Sequence, residues 1–297
     1  MSRALGVALS VVSLTLAAPL AATAETATGA DEIPASTSTG TGTGTGTGTS
    51  TSTLAQPAPL TVDRVIRDRR LGRASGLAAS TYARPTVFTH NDLGDGPVIY
   101  AVGARGRTQS VIRLKGARSH NWADLAAGPR HSLWVGDIGD AATTRRRVEV
   151  YRVREPRRLR SHLALPTQRF VLTYPDGPHD AATLLVNPRT GRLSVVDRDA
   201  ESGSVYRAPA RLSTRHANRL VKVATAPAGV MGGSFSPDGR RYLLATDSTV
   251  YVYGTGGTVL TTVPLPDHLS PVAVSLAGAG ATALAAGRRA TPATVYR

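Results

Sequence analysis

Residues 181–196, AATLLVNPRTGRLSVV, set two short apolar runs on either side of Asn187-Pro188-Arg189-Thr190-Gly191. Asn bonds nearby backbone amides, Pro presets φ and Gly accepts positive φ, so this pentapeptide is a turn. The flanking runs are too short for helices and rich in branched side chains, which makes the stretch a strand–turn–strand hairpin. Val205-Tyr206 follows as a third run and Leu220-Val221-Lys222-Val223 as a fourth.

The same succession recurs along the chain, which is the mark of a repeat architecture. Small apolar first strands are expected at Ser75–Ala79, Asp124–Ala127, Ala181–Leu185, Gly233–Phe235 and Val272–Val274. Second strands follow at Val87–Thr89, Leu133–Val135, Leu193–Val196, Leu243–Ala245 and Ala283–Ala285. Third strands carry a Tyr beside β-branched residues: Tyr100, Tyr151, Tyr206, Tyr251 and Tyr296. Fourth strands are expected at Ser110–Leu114, Arg169–Leu172, Leu220–Val223 and Val259–Val263. Units of roughly 40–55 residues suit four-stranded blades. The fold class is therefore all-β, a β-propeller of five four-stranded blades, with a six-bladed ring as the alternative. The fifth unit lacks a fourth strand of its own, and Leu60–Ile66 is expected to supply it beside Val295, closing the ring with an N-terminal strand.

Residues 1–24 read as an export signal. Arg3 gives a positive start, Ala4–Leu20 is small and apolar, and Ala22-Thr23-Ala24 suits a signal peptidase. This run is too short and too rich in Ala, Ser and Thr for a membrane span, and no other candidate span is seen. Residues 25–59 form a linker whose centre, Ser36–Thr53, is only Ser, Thr and Gly. Such a segment has nothing to bury and reads as a flexible tether. Residues 60–297 form the propeller domain. The expected address is outside the cell, released or associated with the wall, and a monomer is expected.

The 297 residues contain no Cys, which removes thiol catalysis, Cys-ligated metal and disulfide staples. The net charge is +15, and of 35 basic residues only Lys115 and Lys222 are lysines. Such a surface favours anionic partners, envelope polymers among them. Nucleic acid is not expected, because aromatic residues are only 5% of the chain and do not interleave with the basic ones. Arg145-Arg146-Arg147 and the Arg157, Arg158, Arg160 group are the candidate polymer contacts.

Propeller topology puts the loops entering first strands on the same face as those joining second to third strands. Those loops carry His90, Asn91, Asp92, Asn121, Asp124, Asp137, Asp140, His179 and Asp180, which form the candidate ligand-binding face. Asp92, Asp124, Asp137 and Asp180 are the candidate ligands for a hard cation, calcium rather than zinc. No G-x-S-x-G elbow, H-E-x-x-H, P-loop or dinucleotide fingerprint occurs. No catalytic residue is assigned and no cofactor is expected, calcium being the alternative. The function expected is a secreted, non-catalytic binding module. The alternative is a calcium-dependent phosphoesterase- or lactonase-like hydrolase, with Asp140 as a further ligand and His90 or His179 as base.

Ser75-Gly76-Leu77-Ala78, Thr89-His90-Asn91-Asp92, Trp122-Ala123-Asp124, Val135–Asp140 and Thr173–Ala181 together resemble a family of secreted actinobacterial WD40-like β-propellers. Phe235-Ser236-Pro237-Asp238-Gly239-Arg240 resembles the blade turn of TolB-type propellers. The resemblance implies a propeller fold and no settled activity. Phytase-like and lactonase-like propellers, more distant in shape, hold Ca²⁺ with axial acidic residues. Where the family usually has Glu at the starts of inner strands, this chain has Ala74, Ala123 and Ala182. That departure moves the expectation away from metal chemistry and towards binding.

Overall fold

The computed structural model describes residues 9–15, 61–265, 271–277 and 280–285, all of whose regular structure is β. In chain order, β1 is Leu9–Thr15 and β2 is Thr61–Ile66. The first blade holds β3 (Ala74–Ala79), β4 (Val87–Asn91), β5 (Val98–Val102) and β6 (Thr108–Lys115). The second holds β7 (Asp124–Gly128), β8 (Ser132–Asp137), β9 (Val148–Arg154) and β10 (His162–Thr173). The third holds β11 (Ala181–Val186), β12 (Leu193–Asp197), β13 (Gly203–Arg207) and β15 (Val221–Ala226), with the two-residue β14 (Asn218–Arg219) pairing back onto β10. The fourth holds β16 (Gly232–Phe235), β17 (Arg241–Ala245), β18 (Thr249–Gly254) and β19 (Val259–Pro264). The last sheet runs β20 (Pro271–Ala277), β21 (Gly280–Ala285), β1, β2. The inner strands β3, β7, β11, β16 and β20 each touch the next, and β20 touches β3, so the path returns on itself. This is a β-propeller.

Period-two alternation explains why these strands read as nearly continuous apolar runs. The first three blades are covered on both faces, so both sets of side chains are buried. In the third blade Leu184, Val186, Leu193 and Val195 face the second blade's Trp134, Val150 and Phe170. Leu185, Val196 and Val205 face the fourth blade's Tyr242, Leu244 and Tyr253. Phe88, Ile99 and Ile112 meet Trp122, Leu133 and Tyr151 between the first and second blades. Each such side chain, once fully buried, contributes about 1.5–3 kcal/mol, so the interblade seams carry the stability of a chain without disulfides.

Two strands depart from expectation. Only Arg169–Leu172 was expected in the second blade's outer strand, yet β10 begins at His162. Its first half pairs parallel to β6 of the first blade, His162 to Pro166 against Val111 to Lys115. Its second half pairs antiparallel to β9 from Thr167. Pro166, which has no N–H to donate, stands where the strand changes partner. The closing sheet also differs. β2 pairs with β1, and β1 pairs with β21. The segment read as the core of an export signal is thus the third strand of this sheet, while Val295, expected beside β2, lies outside the described residues. So do most of residues 1–24 and all of the linker at 25–59. Among the described residues no helix is long and apolar enough to cross a membrane.

Candidate functional site

The loops expected on one face do meet there. Trp122 N donates to Asp92 O at 3.1 Å, which joins the second-to-third loop of the first blade to the loop entering β7. Asp137, at the end of β8, is fully buried. Its carboxylate accepts the amides of His120 and Asn121, each at 3.0 Å, and Arg145 Nη1 at 3.0 Å. The same guanidinium reaches Gly139 O at 2.8 Å, and Asp140 accepts Arg145 N at 2.6 Å. Asp180 Oδ1 then accepts Asp140 N at 2.7 Å across the seam to the third blade, and Asp180 Oδ2 lies 2.8 Å from Arg198 Nε. Asn121, Asp137, Asp140 and Asp180 are therefore brought into one connected network. Arg145, expected as a polymer contact, is its hub.

His179 sits in a second cluster. Its Nε2 is 2.9 Å from Asp176 Oδ1 and 2.9 Å from the Tyr206 hydroxyl, and its Nδ1 is 3.1 Å from Asp197 Oδ2. Tyr206 donates to Asp176 Oδ2 at 2.9 Å, and the rings of Tyr174 and Tyr206 pack against the imidazole at 4.9 and 4.8 Å. Burial opposes charge on Asp176, but the Tyr206 and His179 hydrogen bonds outweigh it and hold its carboxyl below the usual range. Burial raises the carboxyl of Asp197. An imidazole gripped at both nitrogens is oriented with little freedom, an arrangement that serves proton transfer or loop rigidity.

The remaining candidates are dispersed. Asp92 forms a two-point pair with Arg73, at 2.7 and 2.9 Å. Asn91 holds the chain before β3, accepting Arg73 N and donating to Arg70 O. Asp124 is buried, and its carboxylate accepts Leu125 N at 2.7 Å and Leu184 N at 2.8 Å, tying β7 to β11. Burial pushes that carboxyl well above its ordinary value. The cation candidates Asp92, Asp124, Asp137 and Asp180 are each committed to a different arginine or pair of amides. Among the described residues no three His, Asp or Glu gather into a group that could hold a metal ion. Ala74, Ala123 and Ala182 are buried at 4%, 6% and 4% exposure, so the inner-strand starts present methyl groups where the resemblance implies carboxylates.

Loop topology also places Asp176 and Asp197 on this face, although neither is among the candidate residues, and it does not place Tyr206 there. The recurring third-strand tyrosine was the available signal. Tyr100 donates to Asp95, Tyr151 to Glu149 and Tyr206 to Asp176, so the first three blades each tie this residue to a carboxylate.

His90 is fully buried, edge-on to Trp122 at 5.4 Å, with Nδ1 3.1 Å from Asn91 O. Burial pushes its imidazole down to about 4. Between pH 6.5 and 4 the unfolded chain takes up a proton here and the folded protein does not, so stability present above this window is lost as pH falls through it. The gap corresponds to about 3 kcal/mol. Asp124 acts oppositely, adding stability at low pH that is lost as pH rises through its raised value. His90→Gln is expected to flatten the acid limb of a plot of urea midpoint against pH. An unchanged slope would place the proton uptake elsewhere.

No family model matches the chain, and no curated protein matches it. Among solved structures it is similar to the gluconolactonase XC5397 of Xanthomonas campestris, at 16% identity over 74% of this chain and 81% of that one, with a TM-score of 0.47. It is also similar to a luciferin-regenerating enzyme, at 11% identity over 78% of this chain and 83% of that one, with a TM-score of 0.45.

Proposed function

We propose that this protein is a secreted or envelope-associated β-propeller that acts as a non-catalytic binding module, a relative of the actinobacterial WD40-like propellers it resembles. One observation carries the reading: the acidic candidates on the polar face are spent on holding that face together. Asp137 is paired with Arg145, Asp180 with Arg198 and Asp92 with Arg73. Carboxylates so paired fix loop geometry, which suits a preorganised recognition surface, and they are poor candidates for a base or a cation cage.

A second reading, a hydrolase of lactones or phosphate esters, is favoured by the cluster around His179. An imidazole oriented by two carboxylates and a tyrosine, 25% exposed, has the parts of a general acid–base. One experiment separates the two: turnover of a lactone and phosphoester panel, with melting curves recorded in Ca²⁺ and in chelator. The binding module shows no turnover and an unmoved melt. Hydrolysis abolished by His179→Gln, or stabilisation by Ca²⁺, would establish the second reading instead.

A further inference from the structure

On the side of the second and third blades away from the polar face lies a cleft of about 960 Å³. It is lined by Arg130 on the β7–β8 turn, Arg152 and Arg154 on β9, Arg189 on the β11–β12 turn and Arg211 after β13, and no Asp or Glu lines it. Among the described residues none of the five is ion-paired, whereas Arg70, Arg73, Arg145, Arg169 and Arg198 each have a carboxylate partner. Five uncompensated guanidinium groups around one cavity repel one another, and an anion relieves that repulsion.

The floor is built rather than incidental. Trp134 stacks on Phe170 at 5.5 Å, and its Nε1 donates to Ser132 Oγ at 3.0 Å, which in turn donates to Pro129 O at 2.8 Å. Arg152 lies over both rings, at 5.4 and 5.7 Å, and donates from Nε and Nη2 to Gln168 Oε1. One cation is thus fixed in place, and rings that would otherwise stack a planar ligand are covered by it. On the rim, Arg130 and His131 both adopt φ 55, a backbone conformation that costs a non-glycine residue about 1–2 kcal/mol. Strain of this kind collects at ligand clamps.

The geometry points to a binding site for a phosphate-bearing, non-aromatic polyanion. Guanidinium forks match phosphate oxygens in two-point contacts, and only a densely charged chain brings enough charge into this volume to balance five arginines. The covered rings disfavour a nucleic acid, whose bases need free aromatic faces. This site is separate from the polar face and stands whichever reading of that face holds.

The test is calorimetric titration of the full chain with short-chain inorganic polyphosphate, with Trp134 fluorescence as a second readout. Binding should weaken as salt rises. The double variant Arg189→Ser/Arg211→Ser should weaken it about tenfold or more, since two charged contacts are lost. The double variant Arg105→Ser/Arg107→Ser removes the same charge from exposed positions on the β5–β6 turn of the first blade, outside the cleft, and should leave affinity unchanged. Melting curves show whether each variant is folded. Absence of binding, equal weakening by the two pairs, or tighter binding of polyglutamate or single-stranded DNA would overturn the assignment.

Discussion

Gly76→Val is expected to lower the melting temperature by about 4–20 °C, or to prevent folding. Gly76 is the bulged residue of β3, where the pairing with β4 shifts between Ser75 and Leu77, and its φ is +73. A Cβ there would stand 2.5 Å from His90 Nε2, 2.7 Å from Leu125 N and 2.9 Å from the Asp124 carbonyl carbon. Two of those atoms are backbone of β7, the neighbouring inner strand, which cannot step aside without opening the ring. The conformational cost is about 1–2 kcal/mol and the overlap adds about 1–3 kcal/mol or more. In a domain of this size each kcal/mol lowers the melting temperature by about 2–4 °C. Gly94→Ala is the control. Its φ is +98 but nothing lies within 4 Å, so only the backbone cost remains and the loss should be a few degrees. Equal losses at the two positions would refute the close approach of β3 to β7.

Asp137→Ala should cost about 3 kcal/mol. The substitution strands two amides, His120 N and Asn121 N, together with the partly buried Arg145 guanidinium, and an unpaired charge of that kind is expensive. Denaturant melts measure the loss. A double-mutant cycle with Arg145→Ala isolates the ion pair, and a coupling near zero would show that the two amides carry the whole effect. Because Arg145 also holds Gly139 and Asp140, amide exchange across residues 138–145 should quicken in the single variant while the inner strands stay protected.

Much of the fold is legible in the sequence because both faces of the first three blades are buried. Val195 and Val196 point to opposite seams, and both must be apolar. The third-strand tyrosines and the turn at Asn187 mark the units for the same local reasons that form them. The closing sheet is less legible. A short apolar stretch such as Leu9–Thr15 satisfies the requirements of a leader and of a strand equally, and sequence alone does not choose between them. The early half of β10 also escapes, because its neighbour is a strand of another blade.

For the site, topology predicts which loops share a face, but not which side chains find one another. Asp176 is three residues from His179, whereas Asp197 and Tyr206 reach it from other strands. The arginines mislead in a definite way. The run at 145–147 draws attention by adjacency, yet Arg145 turns inward to Asp137. Arg130, Arg152, Arg154, Arg189 and Arg211 are scattered in a chain where arginine is common, and only the packing of two blades assembles them.

The strand that changes partner at Pro166 has a mechanical consequence. Between the second and third blades main-chain pairing is brief, Leu172 and Thr173 against Asn218 and Arg219, and side-chain contact, which yields gradually under load, does most of the joining. The first two blades are riveted by main-chain bonds from His162 to Pro166, so residues 74–173 behave as a single plate. When the wheel flexes, the hinge must fall at one of the other spokes.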